Sequence, residues 1–287
     1  MMIVEGERRD DSLWGMIVKN DDITFTHILP RLNRTDLKFL YDVNGETRAL
    51  VKRSSRKGDL KKGFRVREMS SISTLEFAWE HYPWGTWGGE RDFCSRVAKT
   101  NKLELLKWIR EEKKCEWNER TIWAPARQGN LEMVKYCVAN ECRIDKNACA
   151  NAALEGQLEC LKYLREEGKA RWDSWTAAWA AENGHLHILE YLVERKYDEY
   201  NEDLQPYALP LSYKYAARKD HLDCLKYLHE TAKVPWDDSA VREAHKRNQP
   251  ECLQYLLDNN CPLPDGWRYE RGELYSESES ESESESE

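Results

Sequence analysis

No run of about 18 apolar residues occurs in this 287-residue chain, so no bilayer-crossing helix is expected. The first dozen residues hold Glu5, Glu7, Arg8, Arg9, Asp10 and Asp11 and no apolar core, so a secretory signal is not expected there either. A glycine-rich phosphate loop, HExxH and GxSxG are all missing, and with them the usual sequence marks of nucleotide, zinc-protease and serine-hydrolase chemistry. Nine cysteines are present, but none forms a CxxC pair and none joins a histidine at zinc spacing. Free thiols and a reducing compartment are expected, with no catalytic residue, no cofactor and no metal. The formal charge of −8 also misleads: residues 276–287 alternate Ser and Glu and hold six glutamates, leaving −2 for the rest. A body so close to neutral gives no electrostatic reason to expect nucleic acid or membrane as a partner.

What the sequence does contain is repetition. The segments GNLEMVKYCV, GQLECLKYLR, GHLHILEYLV and DHLDCLKYLH align on Leu131, Leu158, Leu186 and Leu222, and Leu75, Leu103 and Pro250 continue the series. Successive intervals are 28, 28, 27, 28, 36 and 28 residues, so one interval carries an eight-residue insertion. A fixed period of this length marks a stacked-repeat architecture.

Each copy has the same internal order. A small pair precedes the marker (Ala152 and Ala153, Ala180 and Ala181, Ala216 and Ala217), followed by two variable residues and then a stop. The stop is Gly129, Gly156 or Gly184 in some copies and Asn101, Asp220 or Asn248 in others, the residues best able to take left-handed backbone. Apolar residues then recur at helical spacing, as in Leu158, Leu161 and Leu164. Each unit therefore reads as helix, tight turn, helix, with a stripe that only stacking can bury. Cys160, Cys224 and Cys252 share one apolar register of the second helix. A further register, Trp117–Asn118, Ile144–Asp145, Trp172–Asp173 and Trp236–Asp237, supplies a large plug and an acceptor for the next helix start.

Stretches such as AAENGHLHILEYLVE and AALEGQLECLKYLREEG resemble the ankyrin repeat over roughly residues 62–264. The period is near 28 rather than 33 and the TPLH opening is missing, as in the shortened variant of unicellular algae, protists and giant viruses. His185 and His187 are then repeat residues. The resemblance implies an all-α ankyrin-type solenoid of about seven units that binds an unidentified protein partner on its concave face. Carried onto this chain, the face comprises Arg127, Gln128, Asn151, Leu154, Glu155, Trp179, Glu182, Asn183, Tyr215, Arg218, Lys219, Lys246 and Arg247.

Residues 22–52 lack the repeat order and read D-I-x4-I-L-x2-L-x3-D-L-x2-L-x2-V, which is similar to an F-box. The opening Leu-Pro of that family is absent, and Asn44 and Thr47 replace its Cys and Trp. The alternatives are a helical cap for the solenoid and an F-box-like substrate receptor of a cullin ubiquitin ligase. In the second, Ile28, Leu29, Leu32, Leu37 and Leu40, with Ile23, Asp36 and Val43, meet the adaptor.

Residues 48–67 hold nine Lys or Arg against Asp59 and read as a charged connector, with nuclear import or phosphate contact as the competing readings. The insertion, with Pro206 and Pro210, reads as a surface loop. The expected organisation is a poorly ordered 1–20, a helical cap or F-box-like segment at 21–60, the solenoid at 61–265 and a disordered 266–287 ending in the Ser-Glu tail. A monomeric, non-catalytic scaffold, cytoplasmic or nuclear, is the functional expectation.

Overall fold

A computed structural model describes residues 24–61, 65–80, 89–195 and 209–275. The expected disorder of 1–20, the F-box position Ile23, the body of the insertion and the Ser-Glu tail all lie outside the described residues. The chain divides into two compact units, residues 1–116 and 117–287.

In the first unit, Asn33 opens α1 (Arg34–Val43) by accepting a bond from the Asp36 amide at 2.8 Å. Asn44 and Thr47 form a reciprocal capping box at the start of α2 (Gly45–Arg53). Leu29, Leu37, Leu50 and Val51 form the core between them. Arg56 locks this cluster: its guanidinium donates to the Leu29 and Leu32 carbonyls at 2.6 and 2.5 Å and pairs with Asp59 at 3.1 Å. Other cations of the basic stretch are also engaged, Arg48 and Lys52 over the Tyr41 ring, Arg53 over Phe25 and Arg65 with Glu68. The unit continues with α3 (Ile72–Glu80), α4 (Gly89–Ala98) and α5 (Leu103–Glu111).

The second unit stacks five helix pairs. They are α6 (Arg120–Gln128) with α7 (Leu131–Ala139), α8 (Lys146–Leu154) with α9 (Leu158–Glu166), and α10 (Ser174–Glu182) with α11 (Leu186–Glu194). There follow α12 (Pro210–Arg218) with α13 (Leu222–Lys226), extended by a wider turn over Tyr227–Thr231, and α14 (Ser239–Lys246) with α15 (Pro250–Asp258). Pro210, expected in a loop, sits instead at the first position of α12, where its missing N–H costs nothing.

The predicted stops all take left-handed backbone, with φ of 72° at Gly129, 68° at Gly156, 71° at Gly184, 60° at Asp220 and 54° at Asn248. Glycine is needed for space as well at Gly156, since a Cβ there would lie 2.7 Å from Nδ1 of His185 in the next repeat. The alanine pairs are fully buried and let the first helices pack row against row. In each second helix the leucine stripe fills the layer behind, where full burial of a leucine stabilises by about 1.5–3 kcal/mol.

The Trp/Ile–Asp/Asn register does what the pattern predicts, with one exception. Asn118, Asp173 and Asp237 accept from the backbone amide two residues on, whereas Asp145 instead accepts from the Trp123 indole at 2.7 Å. Trp172 is 2% exposed and meets the Tyr191 ring edge-on. A second left-handed register, Glu141, Lys169, Lys233 and Asn260, ends the second helices and carries no glycine to mark it in the sequence. Behind it come small buried residues, Cys142, Ala170, Val234 and Cys261.

Residues 268–275 correct the expectation of disorder from 266 onward. Arg268–Glu270 (β1) and Glu273–Tyr275 (β2) pair antiparallel, with Tyr269 opposite Leu274. The two-residue turn has φ of 55° at Arg271 and 85° at Gly272, the geometry that suits a tight hairpin. Trp267 packs edge-on against His245 just before it.

Candidate partner-binding face

Residues four and seven or eight apart share one face of a helix. On α10 these are Trp175, Trp179, Glu182 and Asn183. The matching set on α12 is Leu211, Tyr215, Arg218 and Lys219, and on α14 it is Ser239, Glu243, Lys246 and Arg247. Because the first helices stack in a row, these sets line up as a ladder across the second unit. All thirteen residues carried over from the resemblance fall in this unit, on the ends of first helices or the turns after them.

Arg127, Gln128, Glu155, Asn183, Lys219, Lys246 and Arg247 are exposed, and Asn151, Leu154, Trp179, Glu182, Tyr215 and Arg218 are half-buried. Charge pairing runs from repeat to repeat. Arg127 bonds Glu155 at 2.7 Å, Arg218 lies 3.8 Å from Glu182 on one side and 3.4 Å from Glu243 on the other, and Arg247 reaches Glu243 at 3.3 Å. The amides are turned inward on their own helices: Asn151 donates to the Asn147 carbonyl and Asn183 to that of Trp179, both at 2.9 Å. The Leu154 carbonyl is bonded by His185 from the next repeat at 3.2 Å.

At the centre lies an aromatic cluster. The Trp175 ring centroid is 6.1 Å from that of Trp179 and 5.8 Å from that of Tyr215 on the neighbouring helix, and Arg218 lies over Tyr215. Trp175 is 43% exposed, among the few large apolar side chains left open to solvent. Sequence reasoning named the two residues after each small pair and, in three repeats, the residue before it, and so missed Trp175, one turn earlier, and Glu243, which holds the before-pair position of the fifth repeat. The signal was available, since Trp175 stands one helical turn before Trp179.

In the first unit, Ile28, Leu32 and Leu40 line an open apolar cavity of about 270 Å³ together with Phe39, Val43 and Leu50. The other two adaptor candidates, Leu29 and Leu37, are 1% and 0% exposed and hold the helices together.

Among the described residues no cluster of three or more His, Cys, Asp or Glu is arranged to hold a metal ion, and no helix is long and apolar enough to cross a membrane. All nine cysteines are free and buried. Burial pushes the Cys160 thiol up to about 11 and those of Cys149, Cys224 and Cys261 up to about 12, so they stay protonated. Burial also holds His185 below the usual imidazole range, against the opposing pull of its bond to Leu154.

Comparison with family models brings these repeats together. The ankyrin repeat model matches residues 122–203 and 151–235, in three copies. This chain carries ankyrin repeats. The match covers the first four helix pairs of the second unit, and the fifth pair, α14 and α15, keeps the same register of stop, cap and stripe. Ankyrin repeats form a protein–protein interaction domain, and the paired helices and left-handed turns here are that domain in a shortened period. Comparison with curated proteins found no match to this sequence.

Proposed function

We propose that the ankyrin repeats of the second unit bind a partner protein along the first-helix face, anchored on Trp175, Trp179 and Tyr215. The observation that carries this is Trp175, 43% exposed yet held by two other rings on a rigid frame. Exposed aromatics fixed by their neighbours supply large contact area at little entropic cost, which is why they dominate binding hot spots. The first helices, alanine-rich at their contacts, pack against one another more extensively than the second helices do, which supports reading their side as the inner, concave one. The role is that of a scaffold rather than an enzyme.

Affinity capture from native cells with the full chain, set against Trp175→Ala and Trp179→Ala, tests the reading. Loss of the same proteins from both variants is expected, at about 30-fold or more in affinity for an anchor worth 2 kcal/mol. Variants that recover every partner at wild-type yield remove this face from consideration.

A second reading concerns the first unit. The apolar cavity lined by Ile28, Leu32, Leu40 and Val43 favours an F-box-like role in which a cullin-ligase adaptor docks there. Leu32→Asp and Val43→Asp should abolish co-purification of the adaptor without unfolding the repeats. Absence of any adaptor from the wild-type sample leaves this unit as a cap.

A further inference from the structure

Charge on the first-helix face is unevenly distributed along the ladder. The position after each small pair reads Arg127, Leu154, Glu182, Arg218 and Lys246, and the next reads Gln128, Glu155, Asn183, Lys219 and Arg247. Both acidic members therefore fall on the first three repeats, and four cations fall on the last two. Glu155 is taken up by Arg127 and Glu182 by Arg218. Helices α12 and α14 themselves contain one acid, Glu243, just before the pair position, and Arg218 and Arg247 share it. Lys219 and Lys246 stay exposed beside it. The chain outside the Ser-Glu tail is slightly acidic overall, at −2 after removal of six glutamates from −8, so this end is a local concentration of positive charge. It adjoins Tyr215 and the exposed Trp175.

We infer that the partner presents an acidic peptide segment with one aromatic or large apolar anchor. The anchor packs on Trp175, Trp179 and Tyr215, and the acidic residues reach Lys219 and Lys246. This inference rests on the first-helix face being the binding surface and adds the chemistry of its occupant. Two features of the site select such a segment. Arginines already paired with glutamates present no free charge to the partner, so the ring cluster takes an apolar group, whereas the ammonium groups of Lys219 and Lys246 gain most from carboxylates. Packed helices lie about 8–10 Å apart and an extended chain rises about 3.3 Å per residue, so the acidic residues fall about three to six positions from the anchor.

The test is fluorescence polarisation with the full chain and a labelled glutamate-rich peptide carrying a central tryptophan, compared with a version in which glutamine replaces every glutamate. The glutamate peptide should bind about tenfold tighter or more, and raising the salt should erase the difference. Lys219→Glu with Lys246→Glu should cost about tenfold for the glutamate peptide and leave the glutamine peptide unchanged. Circular dichroism should show the helices intact, since both lysines are exposed. Equal binding of the two peptides overturns the acidic assignment. A gain of tenfold or more on deletion of residues 276–287 overturns the partner as the occupant instead, since it would assign the cations to the chain's own Ser-Glu tail. If cellular partners are lost from Trp175→Ala but retained by the lysine variant, the binding face stands and only the acidic chemistry fails.

Discussion

Arg127 and Glu155 are 28 residues apart in the chain and 2.7 Å apart in space. The repeat interval here is 27 residues, so the pair links the first variable position of one unit to the second variable position of the next. Both side chains are about half exposed, 52% and 47%, which limits what the pair contributes to folding. Glu155→Gln should lower stability by less than about 1 kcal/mol, and high salt should shrink the loss further. A greater loss in chemical denaturation would show that the pair, rather than the packing behind it, holds these repeats in register.

His185 offers a pH test with a definite sign. Its folded pKa is depressed below 6.5, chiefly by burial, so the folded chain favours the neutral ring. The stability this gives is fully present above the unfolded value of 6.5 and is lost as pH falls below it, because the unfolded chain takes the proton first. Gln249 shows that an amide can do the same bridging, since it donates to the Arg218 carbonyl at 3.0 Å. His185→Gln should therefore keep the bridge to Leu154 and flatten the fall in denaturation midpoint between about pH 7 and pH 5. Identical slopes for the two proteins would count against the assignment.

Pro125 sits inside α6 at the position that Ala152, Ala180 and Ala216 fill in later repeats. Proline there cannot donate to the Thr121 carbonyl and crowds the preceding turn. Pro125→Ala should raise stability by about 1–3 kcal/mol, read as a higher midpoint of thermal or urea unfolding. A fall in stability would mean that the proline ring fills space between repeats that a methyl group leaves empty.

The nine buried thiols should resist a thiol reagent in the native state and all react in denaturant. Cys142 and Cys261 also donate to the carbonyls of Asn118 and Asp237, at 3.5 and 3.4 Å, so they close connections as well as fill space. Rapid labelling of either one in the native chain would show local opening at the end of its repeat.

Much of the architecture was legible because it depends on local rules repeated at a fixed interval. Gly129, Gly156 and Gly184 announce left-handed stops, the alanine pairs announce close helix approach, and Asn118, Asp173 and Asp237 announce helix starts. Repetition turns each weak local signal into a consistent one. The second left-handed register was not legible, since Glu141, Lys169 and Lys233 adopt it against their own preference. Isolated left-handed geometry costs such residues about 1–2 kcal/mol, which the packing of the next repeat must offset. The terminal hairpin was missed for a related reason: three-residue strands have too little alternation to show against a polar background.

The sequence by itself determined the period, the helix pairs and much of the first-helix face, though not Trp175 or Glu243, because period and side-chain size follow directly from residue order. Tertiary structure decided what those residues do. It paired Arg218 with both Glu182 and Glu243, brought Trp175 and Tyr215 together from different helices, placed Leu29 and Leu37 in a core and left Lys219 and Lys246 exposed. Those outcomes depend on distances between repeats, which are set by the way buried faces pack and are not written in the order of residues along one helix.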